Sequence, residues 1–423
     1  MKKLLTFLSS FGLITTSSLL VISCKNNNIN SSRKEKDNKE KQIDSEHMPS
    51  DQSTENTTKA EKPKPKRQAT EEEKKKLETI FKEQENAFGT FHTYKDVVDQ
   101  LLVYANEKGL KDITLVDGLN ENEYLKEDKD GKSQNVVKLK LYGSDVTFKP
   151  KKVLKDEVET IYSEDKKKVK QIGYKTNVII KETYNNETRK KEKITLANIK
   201  INKIKDSVTE VPKHLPLKID SLTKAFEQSK AKVIKNLEIW DTKNIKNMIS
   251  IFDNAKEFNQ DISNWNTSNV VNMSGMFKDA TKFNQPLNKW NVENVVEMED
   301  MFAGASSFNQ DLNKWKTHSL KNIKQMFWEA TSFNGDISTW DVSKVTTLYN
   351  TFADATSFNR DISKWDVSNI TNMEGTFGRA KAFDQNLNSW NVEKVTTNRN
   401  FNKDITDKLN GNKLPKFKVQ ITY

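Results

Sequence analysis

The sequence predicts two folded parts: a small α+β module at 71–212, followed by a solenoid of 25-residue turns at 213–402. The solenoid is predicted from internal periodicity, which mis-assigns a whole fold when it is overlooked. Tryptophan recurs every 25 residues, at Trp240, Trp265, Trp290, Trp315, Trp340, Trp365 and Trp390. The module is predicted from helical apolar spacing that gives way to strand-like alternation.

Two phenylalanine rows and one alanine row keep the tryptophan period. They are Phe252, Phe277, Phe302, Phe327, Phe352 and Phe377; Phe258, Phe283, Phe308, Phe333, Phe358 and Phe383; and Ala255, Ala280, Ala305, Ala330, Ala355 and Ala380. Only Trp328 stands outside the tryptophan series. We interpret these rows as core residues and not as ligand-binding residues, because a repeat unit buries its apolar side only against its neighbours.

Within one unit the apolar residues lie about three apart, as in the stretch from Val270 to Trp290. This spacing fits neither a helix nor a strand. It favours a coil with one short strand per turn and tight bends between. Successive strands would then stack about 4.8 Å apart.

Polar residues repeat as well. The asparagines are Asn259, Asn284, Asn309, Asn334 and Asn359, with Asp384 in the last place. The aspartates are Asp261, Asp311, Asp336 and Asp361, with Pro286 and Asn386 as departures. Stacked asparagines can satisfy backbone groups at buried turns. A row of aspartates could bind cations, but turn and capping roles are favoured because Pro286 interrupts the row without breaking the repeat.

The module begins with helical spacing over 71–107, with a break near Gly89. Strand-like alternation follows from Val136 to Tyr142 and from Val146 to Phe148, around the turn Gly143-Ser144-Asp145. A second strand pair is predicted at Asn177 to Thr183 and Lys193 to Ile201.

No catalytic or metal-binding motif is found in this region. His92 and Asp96 lie one helical turn apart, but two residues make neither a metal site nor a triad, and we expect His92 on a solvated helix or loop. Glu127, Asp128 and Asp130 read as solvated and only faintly resemble a calcium loop. The prediction is therefore a non-enzymatic protein without cofactor or metal.

The N-terminus predicts export and lipidation. Lys2 and Lys3 precede an apolar stretch that ends in Leu20-Val21-Ile22-Ser23-Cys24, which resembles a bacterial lipobox. Residues 1–23 are the predicted signal peptide, and Cys24 is the predicted lipidation site and the first residue of the mature protein. The alternative is a cleaved secretory signal with an incidental cysteine. Residues 24–70 have almost no large apolar side chains and are predicted to be a disordered tether.

The formal net charge is +11, and most of the basic excess precedes residue 226. A nucleic-acid binder concentrates basic charge on its folded recognition surface, so no nucleic-acid partner is expected. Attraction to anionic lipids and solvation of the tether are the two uses that fit this placement. Cys24 is the single cysteine, so no intramolecular disulfide can form.

The repeat units resemble a known family. The segments Phe258-Asn259-Gln260-Asp261-Ile262-Ser263-Asn264-Trp265 and Trp365 to Met373 look like the BspA-like leucine-rich-repeat surface proteins, in the 25-residue form abundant in mycoplasma lipoproteins. The likeness covers about 213–400 and leaves 71–210 outside. It implies a leucine-rich-repeat-like solenoid on the cell surface, linked to adhesion or host contact, and it supplies no catalytic residues.

Three functions remain open. The leading hypothesis is a lipid-anchored protein on the outer face of the cell membrane, whose solenoid binds a host or neighbouring-cell surface protein or matrix. A substrate-binding lipoprotein would use 71–212 instead, and a structural coat would self-associate. Candidate variable positions are Gln260, Gln285, Gln310, Gly335 and Arg360, and also Asn266, Asn291, Lys316, Asp341 and Asp366. Residues 403–423 are predicted to be a C-terminal tail.

Overall fold

The computed structural model describes residues 67–132, 135–185, 190–418 and 422. The predicted signal peptide, Cys24 and residues 24–66 of the predicted tether lie outside these residues. Among the described residues, no helix has the length and apolar character needed to cross a membrane.

The first part of the fold contains both predicted helices, α1 at Glu71–Gln84 and α2 at Tyr94–Glu107. Each begins with a capping box, at Thr70 with Glu73 and at Thr93 with Asp96. The cap side chain accepts from one free N–H of the first turn while the acidic residue accepts from another. The short strand β1 at Phe88–Gly89 breaks the helical stretch.

The first sheet is antiparallel and three-stranded, in the order β2-β3-β4. Its strands are β2 at Ile113–Leu115, β3 at Val137–Leu141 and β4 at Ser144–Phe148. The predicted hairpin around Gly143 is therefore present. Strand β5, at Val153–Leu154, pairs in parallel with β1.

Five further strands lead into the repeats. They are β6 at Glu157–Val158, β7 at Ile161–Tyr162, β8 at Val169–Gln171, β9 at Tyr174–Asn185 and β10 at Lys190–Ile201. β7 pairs with β8, and the other sheet has the order β10-β9-β6. β9 and β10 form a long antiparallel hairpin that includes the second predicted strand pair.

The buried apolar residues form two cores, and the division between them lies between Val153 and Val158 in the sequence. The first runs from Leu77 to Val153. The second runs without interruption from Val158 to Leu409. The predicted boundary at 212/213 thus lies inside the second core, because strands β6 to β10 pack with the repeats. Ile405 and Leu409, in the predicted tail, also belong to this core.

Each repeat unit is hydrogen-bonded to the next through alternate backbone N–H groups of one stretch, as from Met273 to Asp279. Between units 265–289 and 290–314, Met273 N donates to Glu297 O at 2.9 Å and Phe277 N donates to Met301 O at 2.9 Å. Parallel bridges join equivalent residues, as in Asn247 with Asn272. We expected one short strand per turn, but each unit contributes a single bridged residue. The adjoining residues form tight turns, which shorten the extended stretch.

Two consecutive turns per unit place a residue in the left-handed region. In unit 265–289, Met276 N donates to Met273 O at 3.2 Å and Ala280 N donates to Phe277 O at 3.1 Å. The third residues of these turns are Gly275 at φ 60° and Asp279 at φ 54°. A type II turn requires a positive φ at this position, which favours Gly and Asn. Short 3-10 helices occur at Leu237–Ile239 and Gly411–Lys413.

The aromatic rows are core, as predicted. Phe277 and Phe302 stack with ring centroids 5.6 Å apart, and Phe277 stacks on Phe283 at 3.9 Å within its own unit. The repeating tryptophans are buried, and their indole N–H groups donate to backbone carbonyls 28 residues earlier in the chain. For example, Trp315 Nε1 donates to Leu287 O at 2.9 Å. Each indole ring is therefore buried while its N–H group keeps a hydrogen-bond acceptor.

We predict that Gly335→Ala destabilises the protein by about 1–3 kcal/mol, as overpacking does. A Cβ at Gly335 would lie 2.0 Å from Gln310 O, a backbone atom of the preceding unit. Gly378→Ala is the matched control, because its Cβ would meet nothing closer than 3.5 Å. Thermal unfolding of the two variants checks this, and equal midpoints would contradict it.

Candidate functional site

The asparagine row joins successive units as predicted. The side-chain Oδ1 of Asn259 accepts from Asn284 N at 2.9 Å, and Asn284 Oδ1 accepts from Asn309 N at 2.9 Å. The row continues through Asn334 and Asn359 to Asp384. Each amide thus satisfies a backbone donor of the following unit.

The first candidate row of variable positions is occupied by these structural contacts. Gln285 Nε2 donates to Asn259 Oδ1 at 2.9 Å, and Gln310 Nε2 donates to Asn284 Oδ1 at 2.8 Å. Gln260 is 8% exposed. Arg360 Nε donates to Asn334 O at 2.6 Å, while Gly335 lies against backbone. This row therefore holds the turns together and offers little free polar surface.

The aspartate row and the second candidate row are mostly turn caps. Asp261 Oδ1 accepts from Ser263 N at 2.8 Å, and Asp361 Oδ1 accepts from Ser363 N at 2.9 Å. Asn291 and Asp366 accept in the same way from the residue two further on. Lys316 departs from this row and pairs with Glu293 at 2.9 Å. The described residues contain no group of three or more His, Cys, Asp or Glu that could hold a metal ion.

Variation between units is concentrated elsewhere, on what we call the variable face. It consists of three positions of each unit: Ile249, Ser274, Glu299, Lys324, Tyr349, Glu374 and Arg399; Asp253, Lys278, Ala303, Trp328, Ala353, Gly378 and Lys403; and Asn254, Asp279, Gly304, Glu329, Asp354, Arg379 and Asp404. Its larger side chains are half-buried or exposed. The two rows that the sequence suggested as variable positions are different ones. Periodicity shows which residues form a row, but it does not show which row faces solvent.

Trp328 is on the variable face. Its indole is half-buried, whereas the seven repeating tryptophans are buried. The equivalent residues of the neighbouring units are Ala303 and Ala353, both with short side chains. The break in the tryptophan period was the available signal for this residue.

Charged side chains of both signs also lie on this face. Lys324 Nζ lies 2.8 Å from Glu299 Oε1, and Arg379 Nε donates to Asp354 Oδ1 at 2.6 Å. Next to them is a groove of about 580 Å³ lined by carboxylates and hydroxyls, including Glu329, Asp354 and Thr356. The face combines an aromatic ring, ion pairs and hydroxyl groups.

The expectation that His92 is solvated is wrong. His92 is 2% exposed, because its ring packs against those of Phe88, Phe91 and Tyr174. Its Nε2 lies 2.8 Å from the hydroxyl of Tyr174, which also hydrogen-bonds Ala87 O at 2.6 Å. Burial lowers the pKa of His92 to about 3, despite the opposing charge of Asp96.

Asp96 does not pair with His92 as a catalytic dyad would. Its carboxylate accepts from Thr93 N at 2.7 Å and from Lys218 Nζ at 2.8 Å. The first contact caps α2 and the second joins the module to the residues before the first tryptophan. Asp96 is therefore structural.

Asp128 is also buried, at 2% exposure, although the sequence suggested a solvated side chain. Its Oδ1 accepts from Lys132 N at 2.8 Å, closing the turn that contains Gly131. Glu127 and Asp130 pair at the surface with Lys129 and Lys132. Asp128 thus closes a turn, and the other two carboxylates form surface ion pairs.

We predict that acidification destabilises the protein partly through His92. In the unfolded chain this imidazole binds a proton below its ordinary pKa of 6.5, whereas in the folded protein it does so only below about 3. The free energy of unfolding should therefore fall between these pH values, by up to about 1.4 kcal/mol per pH unit from this group. Chemical unfolding from pH 7 to pH 4 should show a shallower decline for His92→Gln than for wild type. His318→Gln, at an exposed site, should leave the slope unchanged; equal slopes for all three proteins would refute the prediction.

Residues 220–327 and 310–413 each match a family described as Mycoplasma protein of unknown function, DUF285. The two matches together span the repeat units, and the α+β part lies outside them. No curated protein and no solved structure is significantly similar to the chain. The C-terminal part is a repeat protein, similar to this Mycoplasma family.

Proposed function

We propose that the chain is a lipid-anchored, non-enzymatic surface protein that binds a protein partner through the variable face of its repeats. The observation that carries this proposal is where the units differ. Tryptophan, phenylalanine and alanine recur at the core positions, while the three positions of the variable face change from unit to unit. A repeat array can vary such positions without disturbing the stack, which suits recognition of a specific partner.

Trp328 supports a protein partner over a small polar one. Tryptophan is enriched among the few residues that supply most of the binding energy of an interface. The short side chains of Ala303 and Ala353 leave the sides of the indole accessible to an inserted group. The ion pairs of the variable face would contribute to the polar rim that excludes water from such an anchor.

The repeats would form a leucine-rich-repeat-like solenoid, and the parallel bridges between equivalent residues favour this architecture. Cys24 would hold the protein on the outer face of the membrane, with the polar segment before residue 71 as a spacer. A host or neighbouring-cell surface protein or matrix component is the partner that this placement allows.

The structure favours a foreign partner over a self-associating coat. The last units are covered by the chain after residue 402: Phe401 contacts Phe417 edge-on at 5.1 Å, and Leu387 N donates to Lys413 O at 2.8 Å. A covered end offers less apolar surface to another copy, as terminal capping elements do.

We predict that Trp328→Ala weakens partner binding by at least about tenfold, as truncation of an aromatic anchor does. The full chain would be titrated onto host cells and immobilised matrix proteins. Tyr124→Ala is the matched control, because Tyr124 is 60% exposed and lies outside the repeats. Wild-type affinity for both variants, with saturable binding retained, would place the contact surface elsewhere; the absence of any saturable binding by the wild type would refute the proposal.

We predict that Cys24→Ser abolishes acylation and releases the protein from the membrane fraction. Two acyl chains anchor a protein stably, whereas the serine hydroxyl does not replace the thiol as acyl acceptor. Incorporation of a labelled fatty acid into the full chain, expressed in a bacterium that lipidates exported proteins, checks this. Ser23→Ala, which keeps a small residue before the cysteine, should still be labelled. Unchanged labelling of Cys24→Ser would refute the lipidation site.

A further inference from the structure

A cavity of about 170 Å³ lies where the start of α2 meets the residues that lead into the repeats. It is lined by His92, Asp96, Asp99, Gln100, Leu217, Lys218 and Asn244. Asp96 Oδ2 and Lys218 Nζ form an ion pair in its wall, 2.8 Å apart. Two neutral side chains in its wall, those of His92 and Gln100, each keep a buried polar atom without a hydrogen-bond partner among the described residues.

The hydrogen bonds of Tyr174 determine which nitrogen of His92 is free. A phenol carries one hydrogen, and the carbonyl of Ala87, 2.6 Å away, can only accept it. The Tyr174 oxygen must therefore accept from His92 Nε2, at 2.8 Å. The neutral imidazole then has its hydrogen on Nε2, and Nδ1 is left as a bare acceptor. Nδ1 has no partner within the described part of the chain, although His92 is 2% exposed.

Gln100 supplies the complementary group. It is 5% exposed, and its Oε1 accepts from Leu217 N at 2.8 Å, which orients the amide. Its Nε2 carries two N–H groups. One of them interacts with the Tyr104 hydroxyl and opposes the burial that raises the pKa of Tyr104 to about 12. Nε2 makes no geometrically well-formed hydrogen bond to the described residues, so the second N–H is left for a ligand. Burying a donor or an acceptor without a partner is unfavourable, and a ligand that supplies the partner removes that cost.

We propose that this cavity binds a neutral molecule through a hydroxyl group that donates to His92 Nδ1 and accepts from Gln100 Nε2. A hydroxyl offers one donor and two acceptor positions, so a single group can serve both side chains. Asp96 is paired with Lys218 and Asp99 with Lys95. The groups left without partners, those of His92 and Gln100, are neutral, which favours a polyol or a sugar over an ion. A metal ion does not fit, since the described residues contain no suitable ligand group.

The cavity also limits the size of the ligand. Its volume of about 170 Å³ is more than a single water requires. It is less than the roughly 300–1,000 Å³ of sites for drug-sized molecules. The occupant is thus a free polyol or monosaccharide, or the terminal ring of a glycan whose remainder stays in solvent.

The ring nitrogens of His92 provide a direct readout. The full chain would be labelled with ¹⁵N at histidine, of which it has four, and titrated with glycerol, myo-inositol, glucose, galactose and a galactose-terminated oligosaccharide. We expect at least one probe to shift the Nδ1 resonance of His92 saturably while Nε2 stays protonated. A response to the free sugar indicates a small-molecule site, and a response to the oligosaccharide alone indicates a glycan end.

Two variants test the two hydrogen bonds. His92→Gln keeps a donor for Tyr174 but removes the Nδ1 acceptor, and Gln100→Glu keeps the acceptor for Leu217 but removes the donor. Calorimetric titration should show each weakening the binding by about tenfold, while His318→Gln binds as wild type.

Three outcomes would overturn the proposal. They are the lack of any saturable shift with the neutral probes, a response to glycine or phosphate in place of the polyols, and unchanged affinity in Gln100→Glu. If His92→Gln does not fold, the wild-type resonance and Gln100→Glu still decide the question. Because Trp328 is not in this cavity, loss of partner binding in Trp328→Ala and loss of polyol binding here are separate results.

Discussion

The hydrogen bonds between residues one period apart are the constraint on which the repeat region depends. Over one stretch of each unit, as from Met273 to Asp279, alternate N–H groups donate to the next unit, so the residues of this stretch are held opposite their counterparts. Rows of identical residues follow from this register, because a position that is buried in one unit is buried in all of them. The stacked phenylalanines and the asparagine row are thus consequences of a backbone arrangement and not separate devices.

The periodic features could be predicted from the sequence, since the tryptophan, phenylalanine and asparagine rows repeat a single environment. The two helices and the β3–β4 hairpin were also predicted, from apolar spacing with a break near Gly89 and from the turn at Gly143. His92 could not be assigned correctly, because its burial depends on Tyr174, a residue far away in sequence. The core to which β9 and β10 belong was not predicted for the same reason: alternation locates these two strands but does not show which core they join.

The variable face illustrates a similar gap in the candidate site. Periodicity identifies the positions that differ between units, but the exposed ones are known only once the coil geometry is known. From the sequence, Gln285 was a candidate for a free surface residue. In the structure its side-chain amide is hydrogen-bonded to Asn259. The sequence showed that Trp328 lies outside the 25-residue tryptophan period. The structure was needed to show that it lies at the surface.

The equivalence of the unit interfaces bears on how the array can change over time. Each junction between units uses the same hydrogen bonds and the same ring contacts, so a gene copy that lost or gained one complete repeat would still encode matching neighbours. The length of the array and the sequence of side chains on its outer face could therefore be reshuffled by recombination between repeats. A loss or gain of any other number of residues would misalign every row beyond it, so only whole periods are tolerated.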